Sequence, residues 1–275
     1  MVTKRDYDAI QVEAARSVML ELVHLLGEYH DDIVVVGGWV PMLLIPQDKA
    51  RHIGSMDVDL ALNHKTLRDP GYKTIRKLLL GQGYRQDENQ PFIFWRTVTV
   101  GERPIEVEVD LLAGEYEGTT RRHRTQEVQD VRARKARGCD LAFESAREVH
   151  VHGMLPDGAR DTCTIRVAAI IPFLAMKGMA MATRLKEKDP WDVHYCVKNY
   201  PGGPDALAAE FVPHIGHGLV KEGLLHIAEK FASPEHIGPK SVADFEELTD
   251  AEERAFIQRD AYERVQDLLR RLDIS

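Results

Sequence analysis

The run "IVVV" at residues 33–36, followed at once by Gly37-Gly38, constrains the fold of this chain more than any other stretch. Four β-branched apolar residues in succession leave no polar side, so the segment is expected to be a strand covered on both faces. Upstream, residues 6–28 read as a helix with Ala15, Met19, Leu22 and Leu26 on one stripe. Downstream, "WVPMLLI" reads as a short helix that tolerates Pro41 because it falls in the first turn. Helix, strand, glycine pair and helix open a layered fold of mixed elements.

The segments that follow extend the same layer. "MDVDLAL", "FIFWRTV" and "IEVEVDLL" are expected strands, the last two joined near "GERP". "TLRDPGYKTIRKLLLGQGY" between them gives a turn and a helix ended by glycine. "REVHVHGML" and "DTCTIRVA" flank "PDGA" and predict a hairpin. "AIIPFLAMKGMAMATRLKEK" predicts a helix whose Met176, Met179 and Met181 suit core packing. Asp189 precedes Pro190, which disfavours helical backbone in its predecessor, so Asp189 is expected to be the N-cap of a new helix. The remainder reads as helical, with Thr249 and Glu252 at capping-box spacing before the last helix. The expected class is α/β (α+β): a mixed sheet with flanking helices over 1–165, then a helical domain over 166–275.

Bulk properties narrow the setting. The chain is 44% hydrophobic and 29% charged, as an ordinary globular protein is. Cys139, Cys163 and Cys196 lie far apart, match no metal-ligand spacing and form no disulfide framework. The charged N-terminal stretch reads as an amphipathic helix and not a secretory leader, so a cytoplasmic location is expected. The longest apolar stretch, "IVVVGGWVPMLLIP", is shorter than the roughly 20 residues a spanning helix needs. A net charge of -8 argues against a protein that coats nucleic acid. Residues 121–137 are a local exception, with seven Arg or Lys against two acids and a net +5. That run suits a solvated helix or loop and a phosphate-contacting patch equally.

The acids are the first candidates for chemistry. Residues two apart on a strand share a side, so Asp57 and Asp59 face one way while Val58, Leu60 and Leu62 face the other. In "IEVEVDLL", Glu106, Glu108 and Asp110 form the polar side. Such alternation reports a wet sheet face, or else a cation held between carboxylates. Were the two strands neighbours, Asp110 would converge on Asp57 and Asp59, and three carboxylates that close stay ionised only beside a cation. Hard oxygen ligands suit Mg²⁺ or Mn²⁺. The glycine pair lets backbone approach a ligand closely, and N–H groups at a following helix start attract anions. Other candidates carry less. His150 and His152 suit a polar sheet surface, His214 and His217 suit a loop and a helix start, and Trp39 suits the core.

Gly37-Gly38, Ser55-Met56-Asp57-Val58-Asp59 and the later Asp110 resemble the signature of the polymerase-beta-type nucleotidyltransferase superfamily. "KGMAMATRLKEKDPWD" is similar to the closing motif of the AbiEii/AbiGii-type (MenT-like) toxins, through Lys177, Ala180, Arg184, Lys188-Asp189 and Asp192. The resemblance implies a metal-dependent nucleotidyltransferase that moves an NMP from an NTP to an acceptor hydroxyl, with pyrophosphate leaving. Asp57, Asp59 and Asp110 would then be the catalytic carboxylates and ligands of Mg²⁺ or Mn²⁺. Gly37, Gly38, Ser55, Lys177 and Arg184 would hold the nucleotide phosphates, and Asp189 and Asp192 belong to the motif without an assigned role. It further implies a toxin-like transferase, with tRNA, held by the 121–137 segment, as the leading acceptor and a cognate antitoxin as partner. A protein hydroxyl, a small-molecule acceptor and a non-catalytic binding module that keeps the fold are the alternatives.

Overall fold

The computed structural model of the protein describes residues 3–48, 50–67, 73–115 and 125–274. The chain divides into two compact units. One comprises Asp8–Val40 and Gly54–Ala169; the other comprises Met1–Tyr7, Pro41–Ile53 and Ile170–Ser275.

The first unit is a mixed sheet with flanking helices. In chain order it runs α1 (Ala9–Leu25), β1 (Ile33–Val36), then, past α2 (Val40–Leu44), β2 (Asp57–Leu62), α3 (Ile75–Gly81), β3 (Arg85–Gln86), β4 (Ile93–Val100) and β5 (Arg103–Ala113). There follow β6 (Thr125–Val128), β7 (Val131–Lys135), α4 (Leu141–Glu144), β8 (Arg147–Met154) and β9 (Arg160–Val167). The sheet order is β3-β4-β5-β2-β1-β9-β8, with β7 beside β5 and β6 beside β7. The all-apolar β1 lies between β2, antiparallel, and β9, parallel, and Val34, Val35 and Val36 are buried as the absence of a polar side requires. Across β2 the next neighbour, β5, is parallel.

Helix α1 packs on β2, β4, β5, β8 and β9, burying the stripe of Ala15, Met19 and Leu22. Asp8 caps it, accepting from the Ile10 amide. One acid on its buried side, Glu21, is fully engaged: Arg96 grips both oxygens (2.9 and 2.8 Å), and Tyr84 Oη and Gln82 Nε2 donate at 2.7 and 3.0 Å. Burial pushes the Glu21 carboxyl up, but these donors together hold it below its ordinary value.

The basic segment departs from expectation. Residues 125–135, expected as a solvated helix or loop, form the β6–β7 hairpin. Val131 and Ala133 alternate as buried residues, so the period is two. Arg121, Arg122 and Arg124 lie outside the described residues. His150, on the exposed side of β8, bonds Thr164 Oγ1 at 3.0 Å.

The second unit is helical: α5 (Ile170–Thr183), α6 (Lys188–Asn199), α7 (Gly203–Phe211), α8 (Gly218–Lys230), α9 (Ile237–Phe245) and α10 (Ala251–Arg271). α5 packs on α8, and α10 crosses α6, α7 and α9. Gly178 and Gly223 permit the α5–α8 approach, since a Cβ on Gly178 would stand 2.0 Å from the Gly223 carbonyl oxygen. Two expected caps shift by a residue or two. The N-cap of α10 is Asp250, not Thr249, accepting from the amides of Glu252 and Glu253. Asp189, expected as an N-cap, is helical, and Glu187 occupies the cap position of α6. Pro190 still falls in the first turn, where no N–H is needed. No helix among the described residues is long and apolar enough to cross a membrane.

Candidate functional site

The carboxylates expected to converge do stand on adjacent strands. β2 and β5 pair in parallel with Asp57 opposite Glu108 and Asp59 opposite Asp110. Asp57, Asp59, Glu108 and Asp110 thus share one side of the sheet, while Val58, Val107 and Val109 fill the other. Asp57 and Asp59 are half-buried; Asp110 is only 6% exposed.

Each acid is held by short-range structure. Ser55 Oγ donates to Asp57 Oδ1, and the Trp39 indole donates to the Asp57 carbonyl oxygen at 2.7 Å. Trp39 is buried, so its place is the core beneath this strand end. Gly37, at φ +69°, closes the end of β1 directly against Asp59: a Cβ there would lie 1.9 Å from Asp59 Oδ2. Glycine is needed at this position both for its backbone conformation and for its missing side chain. In this structure the anion lying on the Gly37 backbone is the chain's own Asp59.

Asp110 has a cationic partner on β7. Arg134 Nε donates to Asp110 Oδ2 at 3.0 Å, and Nη2 donates to the same oxygen. The reach follows from register: β7 pairs with β5 in parallel with Arg134 opposite Leu112, two residues beyond Asp110 and on its side of the sheet. Arg137, in the same segment, pairs with Glu115 at 2.8 Å. Burial pushes the thiol of Cys139 up; Asp140, Asp59 and Asp110 add to the shift and Arg134 opposes it.

A divalent cation fits part of this donor set. Mg²⁺ is commonly bound through one or two carboxylates, with water and substrate phosphates completing its shell, and Asp57 and Asp59 offer such oxygens at strand spacing. Asp110 differs, because Oδ2 is bonded to a guanidinium. Among the described residues no three His, Cys, Asp or Glu side chains gather as a metal cage.

The remaining motif residues form a second cluster, inside the helical unit. Lys177 Nζ bridges Asp189 Oδ1 (2.6 Å) and Asp192 Oδ2 (2.7 Å), and Arg184 Nε pairs with Asp189 Oδ2 at 3.0 Å. Lys188 Nζ reaches both Asp192 oxygens, and His52 Nε2 lies 2.9 Å from Asp192 Oδ1. Burial pushes the Asp192 carboxyl up, but the charges of Lys177 and Lys188 overcome it and hold it far below the carboxylate range. Asp189 is likewise held low, burial being outweighed by Lys177 and Arg184. The Lys177 ammonium, disfavoured by burial, is raised by the two aspartates. Burial drives the His52 imidazole down to about 4, with Lys188 assisting and Asp192 opposing. His52 is therefore neutral at pH 7 and donates to Asp192 from Nε2. Lys177 and Asp192 are buried, whereas the Arg184 side chain is 46% exposed.

Helical spacing indicates that Lys177 and Arg184 share a stripe; it does not indicate Asp189 and Asp192 as their partners. The period-two pattern of "VRARK" is the one signal in the sequence that points to Arg134. No family model, curated protein or solved structure matches the chain.

Proposed function

We propose that the protein is a metal-dependent nucleotidyltransferase with a polymerase-beta-type sheet, moving an NMP from an NTP to an acceptor hydroxyl. One observation carries the reading: Asp59 and Asp110 are direct register partners on parallel strands, Asp57 shares their side, and Gly37 closes against them. Sheet surfaces with no task seldom place like charges opposite one another, because that pairing destabilises the sheet.

The acceptor hydroxyl would attack the α-phosphorus in line, its proton passing to a carboxylate of the sheet, as the bond to the bridging oxygen breaks and pyrophosphate leaves. A divalent cation bound at Asp57 and Asp59 would supply charge neutralisation of the phosphate oxygens. The chain's own residues would orient the reactants. Ser55 fixes the Asp57 carboxylate, and Gly37 leaves room beside Asp59. Lys177, with Asp189 and Asp192, holds the start of α6 to α5 within the helical unit, and the Arg184 side chain is the more exposed of the two motif cations. In keeping with the resemblance, tRNA is the proposed acceptor class, in a toxin-like role with a cognate antitoxin. A protein or small-molecule hydroxyl is the alternative.

A second reading has its own support. Arg134 on Asp110 is what a fold kept for binding alone would also show. Label transfer separates the two. The purified chain is incubated with Mg²⁺, each α-phosphate-labelled NTP, and total tRNA or lysate, beside Asp57→Ala/Asp59→Ala. Label on RNA that the double variant loses is the expected result. Label on protein moves the acceptor to a protein hydroxyl, and no label with no Mg²⁺-dependent NTP binding selects the binding module.

A further inference from the structure

A recess opens in the helical unit where the end of α5, the start of α6, the end of α8 and α9 come together. Its volume is about 230 Å³, the space toward solvent included. Met181, Leu185, Pro190 and Ile237 supply an apolar lining, Arg184, Lys186 and Lys230 supply three cations, and no acid lines it. The α8–α9 corner is fixed by close backbone approach. A Cβ on Gly238 would stand 2.6 Å from the Lys230 carbonyl oxygen, and His236 Nδ1 donates to that same oxygen at 3.0 Å. Ile237 and Ser241, four residues apart on α9, therefore reach the recess from one side of the helix. Two of the lining side chains have no polar partner among the described residues. Lys186 makes no ion pair, and Ser241, only 6% exposed, makes no hydrogen bond through Oγ, although buried hydroxyls are ordinarily bonded.

An ammonium and a hydroxyl left open at one place are both satisfied by an acceptor such as a carboxylate. Size and surroundings select what carries it. Small-molecule sites enclose about 300–1,000 Å³. This recess is smaller and open, and Leu185, 77% exposed, and Ile237 present apolar surface around it. Such a place suits a single apolar anchor side chain of a docking segment. Three lining cations without an acid select acidic flanks for that segment. A second copy of the chain is disfavoured, because a net charge of -8 repels itself. We infer that the recess docks an acidic segment of a partner protein. One apolar side chain of that segment would sit among Met181, Pro190 and Ile237, with a carboxylate meeting Lys186 and Ser241. The inference stands apart from the transferase reading, since it needs neither nucleotide nor turnover.

Methyl NMR of the full chain, with ¹³C-labelled methionine and isoleucine methyl groups, tests it. The probes are four peptides in which a central Leu, Ile, Met or Phe is flanked by two acids on each side. At least one is expected to shift the Met181 and Ile237 methyl signals saturably. Exchanging its central residue for Ser should weaken binding about tenfold, the worth of one buried apolar side chain. Lys186→Glu should weaken it at least as much, and Leu185→Ser, at an exposed position, should weaken it with the fold unchanged by circular dichroism. No shift with any of the four peptides overturns the inference. So does a shift that the Ser peptide reproduces in full, or that inorganic phosphate alone produces, because either describes an anion site without an anchor. A shift that grows with protein concentration in the absence of peptide gives the recess to a second copy and overturns it equally.

Discussion

Replacing Gly37 by alanine tests whether the site geometry follows from close backbone approach. Two separate costs are visible. At φ +69° an L-residue is held in the left-handed region, which costs about 1–2 kcal/mol. The new Cβ would also fall 1.9 Å from Asp59 Oδ2 and 2.8 Å from its Cγ, so the carboxylate must rotate away. Overpacking of this kind costs about 1–3 kcal/mol, and Gly37→Ala should therefore lose about 2–5 kcal/mol in all. A double-mutant cycle divides the two. In an Asp59→Ala background the clashing oxygens are gone and only the backbone cost of about 1–2 kcal/mol should remain. Urea unfolding followed by tryptophan fluorescence and far-UV circular dichroism measures all four corners. An equal loss in both backgrounds would refute the reasoning, because it would mean Gly37 and Asp59 do not meet.

Two further outcomes are expected in the helical unit. Lys177→Met strips the shared cation from two buried carboxylates and should cost about 3–5 kcal/mol, whereas Arg184→Ala removes a side chain that is 46% exposed and leaves Asp189 its Lys177 partner, and should cost about 1 kcal/mol or less. Equal shifts in the urea midpoint would show that burial does not separate their roles. His52 titrates at about 4 when folded and near 6.5 when free, so the unfolded chain takes up its proton first as pH falls. Its contribution is present above pH 6.5 and is lost between 6.5 and 4, by up to about 3 kcal/mol at 1.36 kcal/mol per pKa unit. His52→Gln should flatten that part of the stability–pH curve, and an unchanged slope would count against it.

The legible features of this chain are local ones. β1 is legible because four β-branched apolar residues admit few other states, and the Asp57–Asp59 side is legible because strand periodicity is two. The hairpins β4–β5 and β8–β9 are legible because their strands are close in sequence and flank turn residues. The β6–β7 hairpin is masked by its charge: seven cations in 121–137 outweigh the alternation of Val131 and Ala133. The helical place of Asp189 is not legible in the sequence, because the proline rule points the other way and its ion-pair partners Lys177 and Arg184 lie on a different helix or beyond its end.

The sequence by itself determined which residues are acidic, which side of each strand they occupy, and where glycine interrupts the first strand. Those properties depend on neighbours one to four residues away. Only the tertiary structure decided that Asp59 stands opposite Asp110, that Arg134 reaches Asp110 from β7, and that His52 donates to Asp192. These pairings join residues 51, 24 and 140 positions apart, and strand register and helix packing, which set them, belong to the whole chain's burial of apolar surface and not to any local run.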